Sequence, residues 1–206
     1  MLPTDLETAV RWLTFLPIVV ASVVGLGLTL WKRAQLRRPN LPPPQVTRDL
    51  REFLVAGQVD KARELIQGDE ARVSQIATVV LASTGRSREA IRERALQKGR
   101  QLASELEYGM GSLALIATLG PLLGLFGTVV GIVLVFKRLA ALQGMASPQD
   151  LAGGIGTALY TTIAGLIVGM LALVVHRYFA ARIDRAMAEL EAESAVLVDQ
   201  VCGEPE

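Results

Sequence analysis

Four threonines are the side chains best placed to support chemistry in the long apolar stretches of this sequence. They are Thr128, Thr157, Thr161 and Thr162. Each hydroxyl can bond a backbone carbonyl of its own helix or of a neighbouring helix, as membrane threonines often do. Together, however, four hydroxyls on or beside faces of small residues can line a polar path through a membrane. The sequence leaves both interpretations open, and the grouping favours the pore-lining one.

Glycines recur at helical spacing in the same two stretches. In the first, Gly120, Gly124, Gly127 and Gly131 follow a 4-3-4 spacing, which keeps them within about 60° of arc on a helix. In the second, the small face consists of Gly154, Ala158, Thr161, Thr162, Gly165, Gly169 and Ala172. Its bulky opposite face, suited to lipid, consists of Leu159, Ile163, Leu166, Ile167, Met170 and Val174. Small residues four positions apart allow close helix approach in lipid, so these glycines are predicted to pack helices together.

Patterns that would indicate an enzyme or a metal site are missing. The sequence has no nucleophile elbow, Gly-rich phosphate loop, Ser/His/Asp set or Cys/His cluster. The single cysteine, Cys202, excludes an intramolecular disulfide framework. The single histidine, His176, ends an apolar stretch, where interfacial anchoring is favoured over a proton relay. We expect no enzyme activity, no cofactor, no metal and no nucleic-acid partner.

Three uncharged blocks are long enough to cross a membrane. They cover residues 12–31, 113–136 and 155–175, with 20, 24 and 21 residues respectively, and about 20 residues span a hydrocarbon core about 30 Å thick. Three such blocks argue strongly against buried helices of a soluble protein. The first block could also be a signal peptide, but its length, the lack of an obvious cleavage site and the basic residues after it favour a retained span.

Basic residues set the expected topology. Lys32, Arg33, Arg37 and Arg38 follow the first block, so the positive-inside rule places the N-terminus outside and this segment in the cytoplasm. Lys137 and Arg138 fall on the outer side, where long side chains can snorkel at the interface. The predicted order is an outer N-terminus (1–11), a first span (12–31), a cytoplasmic helical region (32–108), a second span (109–136), an outer loop (137–153), a third span (154–176) and a cytoplasmic C-terminal helix (177–206).

Helical patterns dominate outside the spans too, so the fold class is all-α with long cytoplasmic helical extensions. The proline-rich segment 38–44 is predicted to be a non-helical linker. Residues 49–67 form an amphipathic pattern with a break near Gly57, and a further helix is expected over 70–83. From Ser87, one continuous helix is expected to run into the second span, reaching roughly 75 Å. The third span is expected to continue as a helix through 182–200.

The three spans contain no Asp, Glu, Lys or Arg. Ion pathways through a bilayer usually contain an ionisable residue within the membrane. If this chain conducts protons, the group that binds and releases them must therefore come from a second polypeptide with a carboxylate in its membrane segment.

Two runs of residues resemble a known family. The sequence ELEYG at 105–109 with LALIATLGPLLGLFGTVVGI at 113–132, and GIGTALYTTIAGL at 154–166, are similar to signatures of the MotA/TolQ/ExbB proton-channel family. Three spans with an outer N-terminus match its ExbB/TolQ branch. The resemblance implies a homopentamer in the bacterial inner membrane around two copies of a single-span ExbD/TolR-like partner, whose membrane aspartate supplies the titratable group. It also implies that ion flow turns the pentamer and does mechanical work in envelope transport or maintenance, with Thr128 and Thr162 matching threonines that line the inner surface.

The sequence departs from the ExbB pattern at two positions. Thr157 and Leu171 stand where ExbB-type chains commonly carry glutamate and proline. The first departure leaves the identity of the ion and the proton route open, and it keeps a divergent motor, for gliding or defence, among the candidates. A non-conducting pentameric scaffold and a small signalling or secretion component also stay open as functions.

Overall fold

The computed structural model describes residues 4–37, 39–141 and 147–203, and this part of the chain is helical without a strand. The predicted all-α class is confirmed. Seven helices follow in order: α1 (Thr4–Gln35), α2 (Pro44–Val55), α3 (Val59–Ile66), α4 (Arg72–Leu81), α5 (Arg88–Glu107), α6 (Met110–Ala141) and α7 (Pro148–Cys202). Residues 1–3, 38, 142–146 and 204–206, which fall in the expected N-terminus, linker, outer loop and C-terminal helix, lie outside the described residues.

Three helical stretches are long and apolar enough to cross a membrane, and their apolar parts lie in α1, α6 and α7. This agrees with the three spans predicted from the uncharged blocks. The chain is therefore an integral membrane protein.

Contacts divide the chain into two units. The span unit contains Met1–Trp31 and Gly109–Tyr178, and the helical unit contains Lys32–Tyr108 and Phe179–Glu206. Within the span unit, Ile116 of α6 packs on Gly25 of α1, at 3.7 Å from the position that a Cβ on Gly25 would occupy. Trp31 likewise lies over Gly109. Most of the α6–α7 contact, which forms the candidate site, also lies within this unit.

The helical unit has its own apolar core. Leu50 of α2, Ile76 of α4, Leu102 of α5 and Leu190 of α7 are each at most 2% exposed. Two exposed ion pairs connect α7 to this unit, Arg51–Glu193 at 2.9 Å and Arg88–Asp199 at 2.8 Å. Exposed pairs contribute about 0–1 kcal/mol each, so apolar burial is the main source of cohesion here.

Local signals for these shorter helices were predicted correctly. Gly57 separates α2 from α3 with a φ of 68°, which glycine adopts without strain. Ser87 caps α5, because its side chain accepts a hydrogen bond from the backbone N–H of Ala90 at 3.3 Å.

Lys32 is the most deeply buried charged side chain in the described part of the helical unit, at 1% exposure. Its ammonium donates hydrogen bonds to the carbonyl oxygens of Leu106 and Tyr108, both at 2.6 Å, and to Oε1 of Gln35 at 2.9 Å. The Gln35 amide in turn donates to the Glu105 carbonyl at 2.7 Å. The last carbonyls of a helix have no partner within it, so these side chains satisfy the C-terminus of α5.

The expected continuous helix from Ser87 into the second span was wrong. α5 ends at Glu107 and α6 begins at Met110. Between them, Tyr108 has φ −52° and ψ 132°, outside the helical region, and Gly109 has a φ of 83°. The interruption has a physical cause, because a left-handed residue suits glycine and commonly ends a helix.

Two further boundaries differ from the sequence expectation. α2 begins at Pro44, inside the predicted linker, because proline is well suited to the first helical position, where its missing N–H is not needed. α6 continues to Ala141 and α7 begins at Pro148 for the same reason, so residues 137–141 and 148–153 of the predicted outer loop are helical. The expected continuation of the third span is confirmed, since α7 is helical through Cys202.

Candidate functional site

Glycines bring α6 and α7 into backbone contact at one end of the site. A Cβ on Gly165 would lie 2.5 Å from the carbonyl oxygen of Gly120 and 2.7 Å from Cα of Gly124. A Cβ on Gly169 would lie 2.5 Å from Cδ of Pro121. Real Cβ atoms do not occur at such distances, so these positions have no room for any side chain. The contact matches the close approach that small residues permit in lipid.

The same contact continues along α6, where its glycines face the side chains of Thr161 and Ala158 on α7 rather than glycines. A Cβ on Gly127 would lie 2.6 Å from Oγ1 of Thr161, and one on Gly131 would lie 2.6 Å from Cβ of Ala158. On Gly124, it would lie 2.9 Å from the Thr161 carbonyl oxygen. All six glycines singled out in the sequence therefore lie where α6 meets α7.

Three of the four candidate threonines converge on one carbonyl group. The hydroxyl oxygens of Thr128, Thr161 and Thr162 lie 3.2, 3.2 and 3.1 Å from the Gly124 carbonyl oxygen. The hydroxyls of Thr128 and Thr162 are also in direct hydrogen-bond contact, and either one can be the donor. The structure thus forms a hydroxyl cluster, defined here as Thr128, Thr161 and Thr162 around Gly124.

Proton counting shows how this cluster can be satisfied. Each hydroxyl has one proton, and a carbonyl oxygen has two lone pairs, one of which faces the helical N–H four residues later. Thr161 has a second, shorter acceptor, the Ala158 carbonyl at 2.7 Å. Thr162 can then donate to Gly124, and Thr128 can donate to Thr162. The hydroxyls of Thr128 and Thr162 thus form a two-member chain whose bond directions can reverse.

Exposure separates the four threonines. Thr128 and Thr161 are 9% and 3% exposed, because the α6–α7 contact covers them. Thr162 is partly exposed. Thr157 is exposed, is not part of the cluster and donates to the Gly153 carbonyl at 2.9 Å. All four hydroxyls contact helix carbonyls, and two of them also reach the surface. The pore-lining role stays a prediction.

The two faces of the third span are divided as predicted. Ala158 and Ala172 on the small face are 3% and 7% exposed, whereas Leu159, Ile163 and Val174 on the bulky face are 51%, 51% and 66% exposed. An exposed apolar face of this extent suits lipid or neighbouring protein.

Some contacts of the site were missed at the sequence level. Pro121 packs on Gly169, and Val135 packs on Gly154. Gly154 was placed on the small face but its partner was not identified, because periodicity on one helix does not show which bulky residue of another helix fills the groove.

The cluster can hydrogen-bond but cannot titrate. Hydroxyls do not ionise near neutral pH, and no group of His, Cys, Asp and Glu that could hold a metal occurs in the residues that the structure describes. Hydroxyls that can reorient can form hydrogen bonds to the water around an ion or to a carboxylic acid from another polypeptide.

Comparison with known proteins identifies the family. The model of the MotA/TolQ/ExbB proton channel family matches residues 63–192, well over half of the chain and including the hydroxyl cluster. The chain belongs to this family. The matched family is one of proton channels, which are transport proteins and not enzymes. The chain is therefore not an enzyme.

Individual relatives place the chain in the ExbB branch of the MotA/TolQ/ExbB family, as expected. Biopolymer transport protein exbB1 of Vibrio cholerae is 45% identical over 87 residues, covering 42% of this chain and 38% of the relative. A putative biopolymer transport protein ExbB homolog of Methanothermobacter thermautotrophicus is 30% identical over 175 residues, covering 84% and 62%. Biopolymer transport protein ExbB of Salmonella typhimurium is 30% identical over 184 residues, covering 84% and 74%. The chain thus spans less than two thirds of the length of the first two relatives.

Proposed function

We propose that this chain is the ion-conducting subunit of an inner-membrane motor that uses the ion-motive force for mechanical work. The expected ion is the proton. The work would serve envelope transport or maintenance, because relatives covering most of the chain are biopolymer transport proteins. The proposal has one principal support, namely a hydroxyl cluster within membrane spans that contain no charged residue.

The absence of charge in these helices dictates the partner. A proton pathway needs a group that binds and releases protons, and such groups are rare and functional within membranes. The spans contain no Asp, Glu, Lys or Arg. We therefore propose a single-span ExbD/TolR-like partner whose membrane aspartate approaches the hydroxyls of this chain.

Assembly and residue roles follow from this proposal. Five copies of the chain would surround two copies of the partner. Thr157 and Thr162, whose side chains reach the surface, would line the conducting path directly. Thr128 would contribute by relaying the hydrogen bond of Thr162, and Thr161 by its contacts with the Gly124 and Ala158 carbonyls. The six glycines would hold α6 and α7 together behind that surface.

The proposed orientation places the N-terminus in the periplasm and the C-terminus in the cytoplasm. Lys32, Arg33 and Arg37 follow the first span, and Arg182 and Arg185 follow the third. Positive charge concentrated at these ends favours their retention on the cytoplasmic side.

A flux measurement tests the proposal. The chain would be reconstituted in liposomes alone, with its co-purifying single-span protein, and with that protein carrying asparagine in place of its membrane aspartate. A pH-sensitive dye inside the liposomes reports proton entry. We expect proton flux only from liposomes that contain the chain together with the unaltered single-span protein. Equal flux from the chain by itself would contradict the proposal.

A non-conducting scaffold is the second candidate. It is favoured by one observation, that the four hydroxyls already contact helix carbonyls and can be satisfied without water. The same liposomes discriminate the two, because a scaffold would assemble with the partner and pass no protons under any condition.

A further inference from the structure

The hydroxyl of Thr161 lies between two carbonyl oxygens, one on each helix of the site. It donates to the Ala158 carbonyl of α7 at 2.7 Å and lies 3.2 Å from the Gly124 carbonyl oxygen of α6. The shorter distance assigns its single proton to Ala158. Because Thr161 is only 3% exposed, this proton stays inside the helix pair.

The Ala158 carbonyl is also within reach of Thr128. The Thr128 hydroxyl oxygen lies 3.4 Å from the Ala158 oxygen and 3.2 Å from the Gly124 oxygen, and it contacts the hydroxyl of Thr162. A carbonyl oxygen has two lone pairs, and one of those on Ala158 faces the helical N–H of Thr162. Since Thr161 fills the other, Thr128 is left with Gly124 and Thr162 as acceptors.

This shared carbonyl determines where the proton of Thr162 can go. With Ala158 occupied, the two protons of Thr128 and Thr162 compete within the cluster for one remaining carbonyl lone pair, that of Gly124. Thr128 is 9% exposed, so its proton stays inside. Thr162 is partly exposed. Its proton is therefore the one that can turn outward, to an acceptor at the surface of the helix pair.

Removal of the Thr161 hydroxyl reverses this count. Two carbonyl lone pairs, on Ala158 and Gly124, would then face the two remaining protons. Thr128 can bond Ala158, and Thr162 can bond Gly124, which is 3.1 Å away. Both protons would be held inside. The outward side of the Thr162 oxygen would then offer only lone pairs, which accept hydrogen bonds and cannot donate them.

We propose that Thr161 is a positioning residue that keeps the Thr162 hydroxyl available as a hydrogen-bond donor to the ionised carboxylate of the partner. This inference rests on the proposed function, which brings the membrane aspartate of a single-span partner to this surface. A hydroxyl that donates to a carboxylate favours the ionised form, whereas a hydroxyl that only accepts favours the carboxylic acid. Thr161 therefore lowers the pH at which the partner's aspartate takes up its proton.

Other ionisable groups of this chain lie far from Thr162 or on another side of its helix. The spans contain no Asp, Glu, Lys or Arg. On α7, His176 is about 21 Å along the axis, and Tyr160 lies about 160° around the helix from Thr162. On α6, Lys137 lies about 14 Å along the axis from Thr128, and the span of α1 contributes no ionisable group. The hydroxyls therefore set the ionisation of a carboxylate at Thr162.

Infrared spectroscopy of the purified complex provides the test. The chain is prepared with its co-purifying single-span protein, and the carboxylic-acid band of the membrane aspartate is identified as the band that disappears when asparagine replaces it. The intensity of this band against pH gives the midpoint of ionisation. Thr161→Val should raise that midpoint by about one pH unit, the effect of about one hydrogen bond. Thr161→Ser keeps the hydroxyl and should keep the original midpoint.

Two further variants separate hydrogen bonding from packing. Thr161→Ala removes the hydroxyl without placing a new methyl group beside the carbonyls, so its midpoint should rise as in Thr161→Val. Thr118→Val is the matched control on α6, because Thr118 is exposed and bonds the Ala114 carbonyl at 3.0 Å. Its midpoint should equal that of the original complex.

The inference and the proposed function can fail separately. An unchanged midpoint in both Thr161→Val and Thr161→Ala would overturn the role of Thr161, and so would an equal rise in Thr161→Ser, which would assign the effect to packing. Proton flux from the unaltered complex in liposomes would leave the proposed function standing in either case. If the unaltered complex showed neither proton flux nor a titrating band from the partner's carboxyl group, both would be overturned.

Discussion

The hydroxyl of Thr128 on α6 directly contacts the hydroxyl of Thr162 on α7, and Thr162 also lies 3.1 Å from the Gly124 carbonyl oxygen. This contact joins a buried threonine to a partly exposed one. A substitution at Thr128 therefore changes the hydrogen bonding of the partly exposed Thr162, although Thr128 itself is buried.

Thr128→Val should therefore weaken proton flux while the complex still assembles. Valine removes one hydroxyl at nearly constant shape, so Thr162 loses a hydrogen-bond partner and the α6–α7 packing is largely kept. We expect flux in liposomes to fall about ten-fold, equivalent to about 1.4 kcal/mol. Thr118→Val is the control, since Thr118 lies on α6, is exposed and bonds the Ala114 carbonyl at 3.0 Å. Equal flux from both variants would remove Thr128 from the conducting path.

Gly127→Leu should disrupt assembly. A Cβ at this position would lie 2.6 Å from Oγ1 of Thr161, so leucine must push α6 away from α7, and overpacking of this kind costs about 1–3 kcal/mol or more. Native mass spectrometry would report the lost oligomers. Gly111→Leu on the same helix meets no atom within 4 Å and should assemble normally. Intact oligomers in the Gly127 variant would contradict the close-packing argument.

Gly165→Ala tests the backbone contact, because it should lower the stability of the protein whereas a glycine-to-alanine change elsewhere in the helix should not. Alanine favours a helix over glycine by about 1 kcal/mol, and Gly156→Ala, which meets nothing within 4 Å, should be neutral or stabilising. On Gly165 the new Cβ would lie 2.5 Å from the Gly120 carbonyl oxygen. A backbone atom cannot rotate away, so the overpacking term of about 1–3 kcal/mol prevails. Thermal unfolding in detergent should show opposite shifts for the two variants.

Sequence periodicity was sufficient for the helices and for the glycine face, because both depend on residues close together in the chain. It failed at Tyr108 and Gly109, where the lack of a proline predicted a continuous helix, although a glycine such as Gly109 commonly ends one. The carbonyl of Tyr108 is bonded by Lys32, 76 residues away. A partner so distant in the sequence leaves no local pattern, and neither did the convergence of three threonines on Gly124.

Lys32→Met should destabilise the helical unit. It leaves the Leu106 and Tyr108 carbonyls without the ammonium that lies 2.6 Å from each, and a buried acceptor left unsatisfied costs about 1–3 kcal/mol. A drop of about 2–4 kcal/mol in the free energy of unfolding is expected. Lys61→Met is the control, because Lys61 is exposed and its ammonium lies 5.9 Å from the Phe53 ring, a contact of about 0.5–1 kcal/mol. If Lys32→Met lowered the free energy of unfolding less than Lys61→Met, the carbonyls at the end of α5 would have found other hydrogen-bond donors.

The proposed orientation can be tested with the single native cysteine. Cys202 ends α7 and is partly exposed, and the proposal places it in the cytoplasm. A maleimide that cannot cross membranes should leave Cys202 unlabelled in intact cells and label it after permeabilisation. In a Cys202→Ser background, Gln149→Cys should give the reverse result, because Gln149 is exposed at the start of the same helix and belongs to the predicted outer loop. Labelling of Cys202 in intact cells together with protection of Gln149→Cys would invert the topology. The positive charges after the first and third spans would then lie outside, against the rule that normally retains them in the cytoplasm.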